Sequence, residues 1–110
     1  MQARPRNVEL YETQHGTVPF EEWLEKLADL RGSAAIDGRI ALLRRGSLGK
    51  KVREIGDGLI ELKVETGPGY RIYIADDGRY SLILCAGSKR TQNEDIKMVK
   101  RYWSDYKTRR

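Results

Sequence analysis

The sequence predicts an α+β fold: an antiparallel sheet covered on one face by an N-terminal helical hairpin and a C-terminal helix. Three observations predict it. Apolar residues recur at helical spacing up to Gly46, switch to a period of two from Val52, and return to helical spacing after Arg90. Asp57-Gly58 and Asp77-Gly78 fall between the period-two runs, and Asp-Gly supplies the positive φ that tight hairpin turns require. No repeat, low-complexity tract or linker interrupts the chain, so residues 1–110 read as a single domain.

The elements follow in order. NVELYET reads as a strand with Val8 and Leu10 on one face. TVPFEEWLEKLADLRG reads as a helix. Pro19 suits its first turn, Glu21 and Glu22 suit the positive end of its dipole, and Gly32 stops it. Its apolar stripe is Phe20, Trp23, Leu24, Leu27 and Leu30. Ser33 is positioned to cap a second helix, SAAIDGRIALLRRG, with Ile36, Ile40 and Leu43 on one face and Gly46 closing it. Two helices joined so briefly form an αα-hairpin. VREI and LIELKVE flank one Asp-Gly turn; YRIYIA and RYSLILCA flank the other. TQNEDIKMVKRYWSDYK opens with Thr91 and Glu94 at capping-box spacing, then repeats Ile96, Val99, Trp103 and Tyr106 as a helical stripe. The order is β-α-α-β-β-β-β-α.

The chain of 110 residues carries 21 Lys+Arg against 16 Asp+Glu, a net charge of +5, which favours an anionic partner such as RNA, DNA or an acidic protein. No run approaches the roughly 18 apolar residues needed to cross a bilayer. The start, MQARPRNVELYE, has basic residues but no apolar stretch, so no secretory signal is expected and a cytoplasmic location follows by default. The lone Cys85 lies in an apolar strand pattern and reads as a buried, unreactive thiol. His15, the one histidine, sits in a polar turn and takes no role. Without a second histidine, a cysteine pair or carboxylates at ligand spacing, neither a metal nor another cofactor is expected. The glycines of ETGPGY precede a strand rather than a helix, so they do not form a phosphate loop.

Alternation places Ile60, Leu62 and Val64, with Tyr70, Ile72 and Ile74, on the face that must meet the helices. Glu61, Lys63, Arg71 and Tyr73 then share the uncovered face, and Lys89-Arg90 reaches its edge. A solvated surface of cross-strand ion pairs is one reading of such a face. Convergence of these groups with a strand-end Lys-Arg pair shifts the balance modestly towards a phosphate-binding site, and both readings stay open at this point.

The run ELKVETGPGYRIYIADDGRYSLILCAGSKRTQNEDIKMVKRYWSDYK resembles the RelE/ParE toxin superfamily, most closely its HigB-like, phage-related branch of addiction-module killer proteins. The most specific pieces are GPGYRIYI, the GSKRTQNEDI junction and the terminal KRYWSDYK, and the resemblance extends over nearly the whole chain. It implies a RelE-like fold and a type II toxin neutralised by a cognate antitoxin, in this branch typically a helix-turn-helix protein. It also implies a metal-independent endoribonuclease (an mRNA interferase) that cuts messenger RNA on the ribosome and so inhibits translation. In such enzymes the 2′-hydroxyl attacks the adjacent phosphate while cations stabilise the crowded phosphorane.

By position, Arg71 and Arg90 match the arginines of that family's sheet and last strand. Lys63 matches a lysine on the preceding strand, allowing one inserted residue in the intervening turn. Two positions depart: Glu61 stands where such enzymes carry another lysine, and Ile96 where they carry a tyrosine. The division of labour expected is therefore Glu61 as general base, Arg71 and Arg90 as phosphate clamps, and Lys63 or Lys89 at the leaving oxygen, with Tyr73 beside them on the RNA-facing surface. Two other readings share the fold: a ParE-like DNA gyrase poison, and an inactive relative that only binds its antitoxin. The basic residues of KMVKRYWSDYKTRR suit the end of a helix dipole and could also approach ribosomal RNA, where an acidic antitoxin segment would compete.

Overall fold

The computed structural model describes residues 5–109; the first four residues of the basic start, and Arg110 of the basic tail, lie outside the described residues. The elements are β1 (Asn7–Leu10), α1 (Pro19–Lys26), α2 (Leu30–Arg44), β2 (Val52–Gly56), β3 (Leu59–Val64), β4 (Tyr70–Asp76), β5 (Tyr80–Ser88), a short 3₁₀ turn (Lys89–Thr91) and α3 (Gln92–Arg109). The α+β class and the element order are those the sequence predicts.

The sheet is mixed rather than wholly antiparallel. Its strand order is β1-β5-β4-β3-β2. The meander from β2 to β5 is antiparallel, but β1 lies parallel to β5, with Asn7 opposite Tyr80 and Leu10 opposite Ile83. The helical hairpin carries the chain from β1 to the far edge, and the four-strand meander then returns to β1 in the same direction. Val8 packs inward, whereas Leu10, expected beside it, stays 37% exposed.

Helices cover both faces of the sheet, not one. Phe20, Ile36, Ile40 and Leu43 of α1 and α2 pack on Leu62, Val64, Tyr70, Ile72 and Ile74. On the opposite face, Val99 of α3 packs with Leu59, Tyr73, Ala75, Leu82 and Leu84, flanked by Ile96, Trp103 and Tyr106. The reason is visible in β4, which is buried from Tyr70 to Ala75 on alternate sides. A strand buried on both sides reads as a near-continuous apolar run, and only its Arg71 interrupts this one.

Two helix starts also differ from expectation. Asp29, not Ser33, caps α2: its Oδ1 accepts the Gly32 N–H at 3.0 Å. Gly32 therefore lies inside the first turn, where a Cβ would come 2.6 Å from Tyr70 Cε2, and the Tyr70 hydroxyl donates to Asp29 Oδ2 at 2.6 Å. At α3 the expected Thr91–Glu94 box is absent. Thr91 Oγ1 donates to Asp95 Oδ2 at 2.6 Å, while exposed Glu94 pairs with Lys97 at 3.4 Å.

The Asp57-Gly58 turn forms as expected, with φ of +57° and +78°. Two irregularities in the ladder matter for the site. The β2–β3 register shifts between Glu54 and Gly56, so Arg53 stands opposite Glu61. In β5, Leu84 is the extra residue opposite the Tyr73–Ile74 step, so Cys85 and Gly87 face the same side as Tyr73 and Arg71.

Candidate functional site

α3 covers the apolar half of its face, and the polar residues gather beneath its first turn and beyond its N-terminal end. Two cross-strand rows build the site: Arg53, Glu61, Tyr73 and Cys85, then Lys63, Arg71 and Gly87.

In the first row, Glu61 is fully buried, not displayed on an open face. Arg53 Nε lies 3.2 Å from Oε1 and Arg53 Nη2 donates to Oε2 at 3.2 Å, while Gln92 Nε2 donates to Oε2 at 2.8 Å. Oε2 takes both hydrogen bonds, while Oε1 accepts none and is balanced only by the charge of the adjacent guanidinium. The Arg53 side chain remains 49% exposed, so the pair presents its cationic end to solvent. Tyr73, expected as an RNA contact, is fully buried as well. Burial first, then the nearby charges of Glu61 and Asp95, push its phenol far above the ordinary range, and among the described residues its hydroxyl has no partner at full hydrogen-bond geometry, lying beside the Glu61 carboxylate. Cys85 is a buried free thiol, pushed up to about 12 by burial and then by Asp95, and is unreactive at neutral pH.

The second row differs in kind. Arg71 is 9% exposed, its Nε is enclosed without a partner, and among the described residues it forms no ion pair. Lys63, opposite it, is half-buried and likewise forms no ion pair among the described residues. Gly69, at φ +86°, makes room for the guanidinium: a Cβ there would lie 3.2 Å from Arg71 Nη1 and 3.9 Å from Lys89 Cβ. The Lys89 N–H donates to Gly69 O at 3.0 Å, which brings the strand-end lysine to the same spot. Arg90 is exposed in the 3₁₀ turn, with no contact joining it to Arg71. The structure thus brings Lys63, Arg71 and Lys89 together, and leaves Arg90 at the rim.

Only Nε of this guanidinium is fully enclosed, but a largely buried cation without a counter-ion is held at a cost that an anion in the site would offset. The start of α3 adds positive potential. The arrangement can therefore bind a phosphate-sized anion. Among the described residues no cluster of three or more His, Cys, Asp or Glu is placed to hold a metal ion, and no helix is long and apolar enough to cross a membrane.

Sequence reasoning missed Arg53, Gln92 and Asp95. Counting back from the Asp57-Gly58 turn without a bulge sets Glu54, not Arg53, opposite Glu61; the repulsion of two facing carboxylates was the available signal. Gln92 and Asp95 reach the sheet only because α3 crosses the face expected to be open.

No protein-family profile matches the chain. An uncharacterized protein of Haemophilus influenzae is 41% identical over 85 residues, covering 76% of this chain and 85% of that protein. The chain belongs to the same family as that Haemophilus protein. A match of this length must include the middle of the chain, so the strands carrying Arg53, Glu61, Lys63 and Arg71 lie within what the two members share.

Proposed function

We propose that the chain is the toxin of a type II toxin–antitoxin pair, a metal-independent endoribonuclease that cuts messenger RNA on the ribosome. The observation that carries this reading is Arg71: an enclosed cation with no partner, flanked by Lys63 and Lys89. The resemblance of GPGYRIYI and GSKRTQNEDI to RelE-like toxins supports it from the sequence side. Cations placed in advance where charge develops supply the largest single contribution to such catalysis. Arg71 and Lys63 hold the scissile phosphate, Lys89 serves the leaving oxygen, and Arg90 takes a neighbouring phosphate.

Glu61 takes a different part from the one its position in the sequence suggests. Enclosed and tied to Arg53 and Gln92, it is a positioning residue that aims Arg53 at the rim. The partners are a helix-turn-helix antitoxin and the translating ribosome, which places the chain in the cytoplasm. The burial of Glu61 also favours a second reading, a gyrase poison on the same fold, since a poison needs no base.

Purified chain added to translating ribosomes, with 5′-end mapping of a reporter message, separates the two. Ribosome-dependent cuts that vanish with Arg71→Ala are expected. Intact messages beside inhibited gyrase would replace the ribonuclease with the poison.

A further inference from the structure

With Glu61 enclosed, the proposed reaction lacks a proton acceptor, and one other carboxylate stands at the same level of the sheet. Asp95 lies in the first turn of α3, and Thr91 Oγ1 holds its Oδ2 at 2.6 Å. That oxygen rests on Gly87, where a Cβ would come within 1.8 Å of it, so only glycine admits the carboxylate here. Gly87 is the cross-strand partner of Arg71. The carboxylate and the guanidinium therefore stand over neighbouring strands, yet no ion pair joins them. Asp95 Oδ1 has no hydrogen-bond partner among the described residues. On its other side Asp95 lines an open cleft of about 280 Å³ walled by Trp23, Met98 and Tyr102, roomy enough for a nucleotide.

Resting on the ribonuclease reading, we propose that Asp95 is its catalytic base, taking the proton of the RNA 2′-hydroxyl as that oxygen attacks the phosphate held by Arg71. The O2′–P bond forms and the P–O5′ bond breaks. The 2′ proton passes to Asp95 Oδ1, and the departing O5′ takes a proton from the Lys89 ammonium. The products are a 2′,3′-cyclic phosphate and a 5′-hydroxyl, and solvent returns the proton from Asp95 to Lys89. Burial raises the Asp95 carboxyl, the Thr91 hydroxyl pulls it down, and Glu94 pushes it up again. The net rise makes it a stronger base than an exposed aspartate while leaving it free of any cation. Arg71 and Asp95 thus divide the work that neither could do if paired.

The test is single-turnover cleavage of a reporter message on translating ribosomes by the full chain, as wild type, Asp95→Asn and Thr91→Val, across pH. The groups facing Asp95 are Thr91, Glu94 and Tyr102 of the last turn and helix, Tyr73 and Cys85 of the sheet, and Glu22 and Lys26 of α1. Asp95→Asn should cut about 10²-fold or more slowly with ribosome binding intact, and lose the fall in rate on the acid side. Thr91→Val keeps the carboxylate but removes the bond that holds it down, so its acid limb should move to higher pH. Asp95→Asn cutting as fast as wild type, or an acid limb unmoved in Thr91→Val, would overturn the assignment. A wild-type chain that cuts nothing on ribosomes brings down the ribonuclease reading itself.

Discussion

The Arg53 guanidinium grips the fully buried Glu61 carboxylate through two contacts of 3.2 Å, while one row further along the sheet Arg71 grips nothing. The same chemistry is thus closed in one row and open in the next. The closed pair is architecture; the open cation is available to a ligand.

Removing either member of the closed pair should cost unequally. Arg53→Ala leaves a buried carboxylate with the Gln92 amide but no cation among the described residues, and is expected to destabilise by about 3 kcal/mol. Glu61→Met removes the buried charge and lets the half-exposed Arg53 rehydrate, at less than about 1.5 kcal/mol. Urea denaturation of both variants measures this, and equal losses would show that Glu61 is not the member in need of neutralisation.

Arg71→Met should behave in the opposite way, because it removes an enclosed charge that has no partner. Stability in a phosphate-free buffer is expected to hold or rise, by about 1 kcal/mol. Wild type should gain melting temperature with added pyrophosphate or RNA, by linkage, and Arg71→Met should not. Cleavage by the variant should fall on the order of 10²–10³-fold. A variant that still responds to pyrophosphate would place the anion elsewhere.

Gly69→Ala tests the room made for that guanidinium. A side chain at φ +86° costs about 1–2 kcal/mol, and its Cβ would press on Arg71 Nη1 at 3.2 Å. Both stability and pyrophosphate response should drop. Loss of stability with an unchanged response would mean that Arg71 does not take the anion.

The carboxylates set the response to acid. Asp29 is lowered by the Tyr70 hydroxyl and then the Gly32 N–H, and Asp105 by the Tyr11 hydroxyl and then Arg109. Their stabilisation is present above the ordinary carboxylate range near pH ~4 and is lost as pH falls through their lowered values. Asp95 works in the other direction: raised by burial, it favours the folded state most when protonated, and that contribution fades as pH rises. Urea midpoints should therefore hold or rise slightly on acidification to pH ~4, then fall. Asp105→Asn should blunt the fall below that point, and Asp95→Asn should remove the rise above it.

Much of the fold is written locally. The period-two runs, the Asp57-Gly58 turn and the stripe of Ile36, Ile40 and Leu43 define strands, hairpin and helix face, because each depends on neighbours within a few residues. The polar row of Glu61, Lys63 and Arg71, and the Lys89-Arg90 pair at a strand end, marked the region of the candidate site for the same reason. Local pattern could not say which face each helix covers or how the strands slip past one another. A bulge at Leu84 and a register shift beside Glu54 decided that Arg53 meets Glu61 and that Gly87 lies beside Arg71. The crossing of α3 then enclosed Glu61 and Tyr73, brought Gln92 to the former, and set Asp95 on the glycine. These outcomes depend on contacts between residues dozens of positions apart, where a one-residue slip inverts a whole strand. The sequence by itself determined which chemistry was present; packing across the sheet decided which charges were paired and which were left for a ligand.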